Sequence, residues 1–230
     1  MKFYGIQKMT LLDFPERVAC TLFTGGCNLR CPFCHNALLV TQLDGADFND
    51  EEEILNFLKK RTGLLDGVCI TGGEPLLQDG LDDFIRKVRA LGFAVKLDTN
   101  GFFPEKLEAL INENLLDYVA VDIKNSKEKY ALTTGIENID ISKIEKTVSL
   151  LKENRIDYEF RTTVVKEFHT PDDIEKIAQW IQGAPRYFLQ NFTDSGNLIG
   201  TDLHEAEKSV LNEMCDSAKK YVPNTQIRGI

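Results

Sequence analysis

The most reactive chemistry in this chain is concentrated in one stretch: Thr24-Gly25-Gly26-Cys27-Asn28-Leu29-Arg30-Cys31-Pro32-Phe33-Cys34-His35-Asn36. Its three thiols fall in a C-x-x-x-C-x-x-C arrangement, a spacing that can wrap a short loop around a metal centre. Thiolates are soft ligands that suit zinc or an iron-sulfur cluster, and Gly25 and Gly26 accept the unusual backbone angles such a loop needs. Three sulfurs on a cluster leave one iron without a protein ligand, an open position of the kind catalytic metal centres keep. Other readings meet physical objections. Free cysteines are often buried but seldom clustered. A zinc site with His35 as fourth ligand asks adjacent residues, Cys34 and His35, to converge on one tetrahedral ion. Cys31-Pro32-Phe33-Cys34-His35 also matches a c-type haem attachment pattern, which leaves Cys27 idle and calls for export.

Further polar groups recur later in the chain. In Thr71-Gly72-Gly73-Glu74-Pro75 two glycines remove side chains so that a ligand can approach the backbone, and Glu74 offers a fixed acceptor. Taken alone, such a segment is more often a simple strand-to-helix turn. Lys96-Leu97-Asp98-Thr99-Asn100-Gly101 and Asp122-Ile123-Lys124 bring two carboxylates and a lysine to one rim. Acids held that close must be neutralised, by a bound cation, by a ligand ammonium or by Lys124 itself. Arg161-Thr162-Thr163 and Gln190-Asn191-Phe192 complete the set, Arg161 as a carboxylate anchor or as half of a structural ion pair. Cys20, Cys69 and Cys215 each stand alone and read as buried thiols without a second cluster.

These residues have to be positioned, and the pattern between them says how. Short apolar runs at Val18–Phe23, Gly67–Thr71, Ala94–Asp98, Tyr118–Asp122, Tyr158–Val164 and Tyr187–Gln190 predict strands buried on both faces. Helical spacing predicts helices over Asp50–Leu65, Leu81–Leu91, Pro104–Glu113, Ser142–Glu153, Pro171–Ile181 and Glu205–Lys220, with acidic residues or proline at several starts. The alternation gives an α/β fold, a partial (β/α)6 TIM-like barrel, read as one domain over 1–230. Chemistry in such folds gathers at the C-terminal ends of the strands, where every motif above lies.

Composition narrows the function classes. Lys plus Arg number 27 against 36 Asp plus Glu, a net charge of −9, which disfavours general binding to nucleic acid. No apolar run approaches the ~20 residues of a membrane helix. The charged N-terminal stretch lacks a leader pattern, so a cytoplasmic protein without membrane association is expected.

The loop C-x-x-x-C-x-aromatic-C after the first strand, with Phe33 as the aromatic, resembles the signature of the radical S-adenosylmethionine superfamily. The resemblance implies a 4Fe-4S cluster on Cys27, Cys31 and Cys34, with the open iron chelated by the amino and carboxylate groups of S-adenosylmethionine and with Phe33 beside the adenine. Gly72, Gly73 and Glu74 resemble the segment that binds the methionyl ammonium. Asp122-Ile123-Lys124 is similar to the segment that contacts the ribose and carboxylate end in glycyl-radical activating enzymes. His35, Asp98, Thr99, Asn100, Arg161 and Asn191 are the remaining cofactor-site candidates, and Asp98, Thr99 and Asp122 are candidates to surround a monovalent cation.

Thr10-Leu11-Leu12-Asp13-Phe14-Pro15, together with Gly25 to Asn36 and Thr71 to Pro75, is similar to the activating proteins of anaerobic ribonucleoside-triphosphate reductase. That likeness implies a radical passed to a glycine of an anaerobic (class III) ribonucleotide reductase, and flavodoxin or ferredoxin as electron donor. Two departures stand out. The family phrase has Pro-Gly where this chain has Pro15-Glu16, and the inserted ferredoxin-like cysteines of several other glycyl-radical activases are missing. A radical enzyme acting on a small molecule, similar to 7-carboxy-7-deazaguanine synthase, would share the loop and the barrel.

Overall fold

The computed structural model describes residues 1–228, so the last two residues of the predicted domain lie outside the described residues. All six expected strands form, with ends within one residue of expectation: β2 Ala19–Thr24, β4 Gly67–Gly72, β5 Ala94–Thr99, β6 Tyr118–Asp122, β7 Asp157–Val164 and β8 Tyr187–Asn191. They pair in parallel in that order. Three strands join them that the sequence pattern did not announce. β1 (Lys2–Thr10) runs antiparallel to β2, and the two-residue β3 (Asn49–Asp50) pairs with β1. β9 (Thr225–Arg228) adds in parallel to β8. The sheet therefore begins at β3 and ends at β9, and the barrel is open. β1 escapes a period-2 reading because its register against β2 shifts twice, between Phe3 and Gly5 and between Gln7 and Thr10; each shift flips the side that later residues face.

The helices are α1 Ala37–Thr41, α2 Glu51–Lys59, α3 Leu81–Ala90, α4 Pro104–Asn112, α5 Tyr130–Thr134, α6 Ile141–Lys152, α7 Pro171–Trp180 and α8 Lys208–Lys219. Capping boxes start α2 (Asp50 with Glu53) and α7 (Thr170 with Asp173). Two expected helices are shorter than their apolar stripes. α2 stops at Lys59 because Leu64 and Leu65 N–H groups turn back to the Arg61 carbonyl, although Leu65 is still buried. α8 starts at Lys208, since Glu205 bridges to Val165 and Ala206 exchanges hydrogen bonds with Asn191.

Alternation along the strands corrects the expectation that both faces are apolar. Leu22, Ile70, Val95, Leu97, Val119, Val121, Phe160 and Leu189 join the main core with the helices. The intervening positions point into the barrel and are largely polar: Thr71, Asp98, Asp122, Arg161, Thr163 and Gln190 all line its cavity. A period of two puts one residue set on each face. Charges are tolerated on the inner face because each meets a partner.

The segment Thr10–Pro15 lies at the opposite end of the barrel from the cysteines, since Thr10 pairs with Ala19 at the start of β2. Asp13 accepts a hydrogen bond from the Thr21 hydroxyl at 2.6 Å, and buried Phe14 packs against Tyr118. Arg17 N–H returns to the Phe14 carbonyl at 3.2 Å, and Glu16 sits at φ +61°, in the left-handed region. With proline at the second position and a positive φ at the third, this is the turn that selects glycine. The Pro-Glu departure therefore carries backbone strain. Glu16→Gly is expected to stabilise the protein by about 1 kcal/mol, seen as a rise in Tm of about 2–4 °C; an unchanged or lower Tm would contradict the strain.

Candidate active site

The cysteine loop, between β2 and α1, is held by its own backbone and by the turns after neighbouring strands. Gly26 N–H donates to Leu39 O at 2.7 Å, Arg30 N–H to Thr134 O at 2.9 Å, and Gly200 N–H to Pro32 O at 2.8 Å. Asn36 Nδ2 donates to Gly72 O at 3.0 Å, and Gln78 Nε2 to Gly25 O at 2.8 Å. Phe33, Leu29 and Cys31 are buried in a small apolar cluster with Val165 and Phe192. His35 stacks on Phe192 at 5.5 Å between ring centroids and donates from Nε2 to Thr193 O at 2.9 Å. Its ring is thus engaged by the segment after β8.

The Gly-Gly-Glu turn does something different from the expectation. Gly73 N–H donates to Thr24 O and Glu74 N–H to Gly26 O, at 2.9 and 2.8 Å. A Cβ on Gly73 would lie 1.9 Å from Gly26 O, and one on Gly72, at φ +118°, would lie 2.3 Å from Thr24 O. The glycines admit the backbone of the cysteine loop itself, besides lining the cavity. Gly73→Ala is expected to cost at least about 2 kcal/mol in stability, because the contact is backbone on both sides and cannot rotate away; thermal melts of the cluster-free chain would measure it. Glu74 is fully buried and does not line the cavity. Its carboxylate accepts from Leu76 N–H, the Thr99 hydroxyl and Asn100 N–H at 2.7 to 3.0 Å. Burial pushes its carboxyl up to about 7, against those three donors. In this chain Glu74 is a fixed acceptor, as expected, and the donors it takes are the chain's own, so that it ties the β4 and β5 turns together.

A cavity of about 230 Å³ is lined by Cys27, Cys31, Phe33, Cys34, His35, Gly72, Gly73, Asp98, Thr99, Asn100, Asp122, Lys124 and Arg161 among the expected residues, and also by Leu29, Asn36, Val40, Thr71, Thr163 and Gln190. Asn191 is a correction. Adjacent strand residues face opposite ways, so Gln190 takes the inward position, and Asn191 exchanges both amide hydrogen bonds with the Ala206 backbone at 3.0 and 3.1 Å.

Beside the thiols runs a ladder of alternating charge. Lys96, with a side chain only 1% exposed, pairs with Asp98. Arg161 reaches Asp98 from Nη1 at 3.1 Å and Asp122 from Nε at 2.9 Å, and Lys124 meets Asp122 at 3.3 Å. Burial alone would raise both carboxyls, but Arg161 with Lys96 holds Asp98 below its usual range, and Arg161 with Lys124 holds Asp122 well below it. Three cations against two carboxylates leave one positive charge in excess. Lys96 was not among the expected site residues, although a lysine inside the apolar run Ala94–Asp98 was a visible signal.

The thiols complete the arrangement. Burial pushes Cys31 up to about 12 and raises Cys27 and Cys34, so without a metal they stay protonated; metal binding would release those protons. Among the described residues no three Cys, His, Asp or Glu side chains converge where one ion could sit. The three thiols share a cavity wall instead, which suits a cluster in which each sulfur takes its own iron. Soft sulfur donors at one side and paired charges at the other fit an iron-sulfur centre beside a charged small molecule. Cys20, Cys69 and Cys215 are buried, free and apart from this wall.

Comparison with known proteins agrees. Residues 21–181 match the sequence model of the Radical SAM superfamily. A Methanocaldococcus jannaschii protein named as a glycyl-radical enzyme activating enzyme is 36% identical over 98% of this chain and 95% of its own length. The pyruvate formate-lyase-activating enzyme of Clostridium pasteurianum is 30% identical over 58% of this chain and 57% of its own. In fold, Streptococcus suis SuiB bound to S-adenosylmethionine superposes with a TM-score of 0.71 at 14% identity, over 91% of this chain and 52% of that one. The cofactors of the family are a 4Fe-4S cluster and S-adenosylmethionine. This chain therefore belongs to the radical S-adenosylmethionine superfamily, among the relatives of the glycyl-radical activating enzymes.

Proposed function

We propose that the chain activates a glycyl-radical protein, and that this protein is an anaerobic (class III) ribonucleotide reductase. The observation that carries the reading is one cavity in which three thiols, Cys31 buried and Cys27 and Cys34 partly so, face a charge ladder with one excess positive charge. Cys27, Cys31 and Cys34 hold the cluster. Arg161 and Lys124 draw a carboxylate toward the ladder, while Asp98 and Asp122 fix the direction of the guanidinium. Leu29, Phe33 and Val40 make an apolar wall that keeps water from the reacting groups. When bound, cluster and S-adenosylmethionine supply one-electron cleavage of the sulfonium to methionine and a 5'-deoxyadenosyl radical. On a partner glycine, that chemistry would remove one Cα hydrogen atom, ending as 5'-deoxyadenosine and a glycyl radical. Flavodoxin or ferredoxin supplies the electron, in the cytoplasm. The choice of reductase rests on the likeness of Thr10–Pro15 and Cys27–Asn36 to the reductase activators.

The test is anaerobic reconstitution with iron and sulfide, chemical reduction, and an assay for 5'-deoxyadenosine with and without an anaerobic ribonucleotide reductase. The expected result is 5'-deoxyadenosine together with a glycyl radical resonance on the reductase. Deoxyadenosine with no glycyl signal on the reductase would overturn the partner and favour a small-molecule substrate. A colourless chain that bound zinc and no S-adenosylmethionine would overturn the enzyme reading.

A further inference from the structure

Asn100, at the end of β5, is 6% exposed, and every polar atom of its side chain has a direction imposed on it. Its backbone N–H is held by Glu74 at 2.7 Å, and its Oδ1 accepts from Phe102 N–H at 3.0 Å. The amide nitrogen must then point away, toward the cysteine loop. One contact there is to Asn28 Oδ1, at 2.8 Å, and the other is to Cys27 Sγ, at 3.7 Å. An amide nitrogen carries two hydrogens, so both contacts can be made at once. Leu29 N–H adds a second donor to the same sulfur, at 3.4 Å. Neither Cys31 nor Cys34 has a side-chain donor within hydrogen-bond reach among the described residues, so the arrangement singles out one thiol of the three.

We propose that Asn100 is a positioning residue for the cluster ligand Cys27, and that its amide hydrogen bond to the Cys27 thiolate raises the cluster's reduction potential. Reduction adds negative charge that is shared with the thiolates, and a donor to sulfur favours the more negative state. Asn28 serves the same device at one remove, since its Oδ1 keeps the Asn100 amide turned toward the sulfur. Glu74 serves it at two removes, through the Asn100 backbone. A cluster that must reduce a sulfonium works at low potential, and a single directional donor lets the protein set that potential without altering the ligand set.

The inference rests on placing the cluster at Cys27, Cys31 and Cys34, which iron and sulfide content of the wild-type chain tests by itself; a chain that took up no iron would overturn placement and inference together. The experiment is an EPR-monitored redox titration of reconstituted wild type, Asn100→Leu and Asn100→Gln. Asn100→Leu removes the donor at nearly constant volume, and its midpoint is expected to move to a more negative potential at equal iron content. Asn100→Gln keeps an amide and is expected to fall between the two. An Asn100→Leu midpoint equal to that of wild type, with full iron, would overturn the proposal while leaving the cluster placement intact. Should Asn100→Leu fail to take up iron, the wild type still decides. Pulsed EPR of the reduced cluster, in protein carrying ¹⁵N-asparagine, is expected to detect coupling to a side-chain amide nitrogen, and no such coupling would overturn the proposal.

Discussion

Cys31→Ala is expected to abolish iron uptake and reduce 5'-deoxyadenosine formation below detection, while Cys215→Ala leaves both at the wild-type level. Cys31 is buried in the apolar cluster with Phe33 and Leu29, so no water or neighbouring carboxylate can take the place of its sulfur. Two remaining thiols bind a cluster too weakly to survive exchange with solvent, and the open coordination position loses its meaning when a second one appears. Cys215 packs on α8 with its sulfur 3.7 Å from Thr225 O, away from the cavity. Iron and sulfide per chain, together with visible absorbance, measure the first effect independently of turnover. Full iron in Cys31→Ala would remove the central assignment, and loss of iron in Cys215→Ala would mean a misplaced ligand.

Arg161→Met is expected to lower stability by about 3–5 kcal/mol and to weaken S-adenosylmethionine binding by at least about tenfold. The guanidinium is the shared partner of Asp98 and Asp122, so one substitution leaves two largely buried carboxylates short of charge. The sign of the pH effect follows. In the wild type both carboxyls lie below their ordinary range, so their contribution is complete above about pH 4 and is lost as pH falls through the lower folded values. In Arg161→Met burial is no longer outweighed and the carboxyls rise above their unfolded values. Such groups lose stability as pH rises. The variant is therefore expected to gain stability relative to the wild type as pH falls from neutral toward about 4, beyond the slope that the raised Glu74 carboxyl gives both proteins. Urea melts of the cluster-free protein across that range would read the slope, and parallel curves for the two proteins would exclude the ladder as a stabilising unit.

The fate of the single-residue expectations has a common cause. Asn191 and Gln190 are chemically alike and adjacent, and only the pairing of β8 with β7, Gln190 beside Thr163, decides which one turns inward. Glu74 reads from sequence as a fixed acceptor, but which donors fix it does not show there; they come from Leu76, Thr99 and Asn100, the last two on the next strand turn. The neutralisation of Asp98 and Asp122 was anticipated, with Lys124 as one partner. The larger share belongs to Arg161, which is 63 residues from Asp98 and 39 from Asp122.

From its residues alone the chain declared its six parallel strands and six longer helices, the open α/β architecture and the three cysteines that distinguish its chemistry. These follow from local causes: apolar spacing within single elements, helix starts, and ligand spacing within one short loop. Tertiary structure decided which face each strand residue occupies, and hence that the barrel interior is charged. It also decided that the glycines admit another backbone, that Glu16 sits strained in a turn made for glycine, and that Asn100 reaches Cys27. Each of these depends on what lies opposite, across a register in which a slip of one residue exchanges inside for outside.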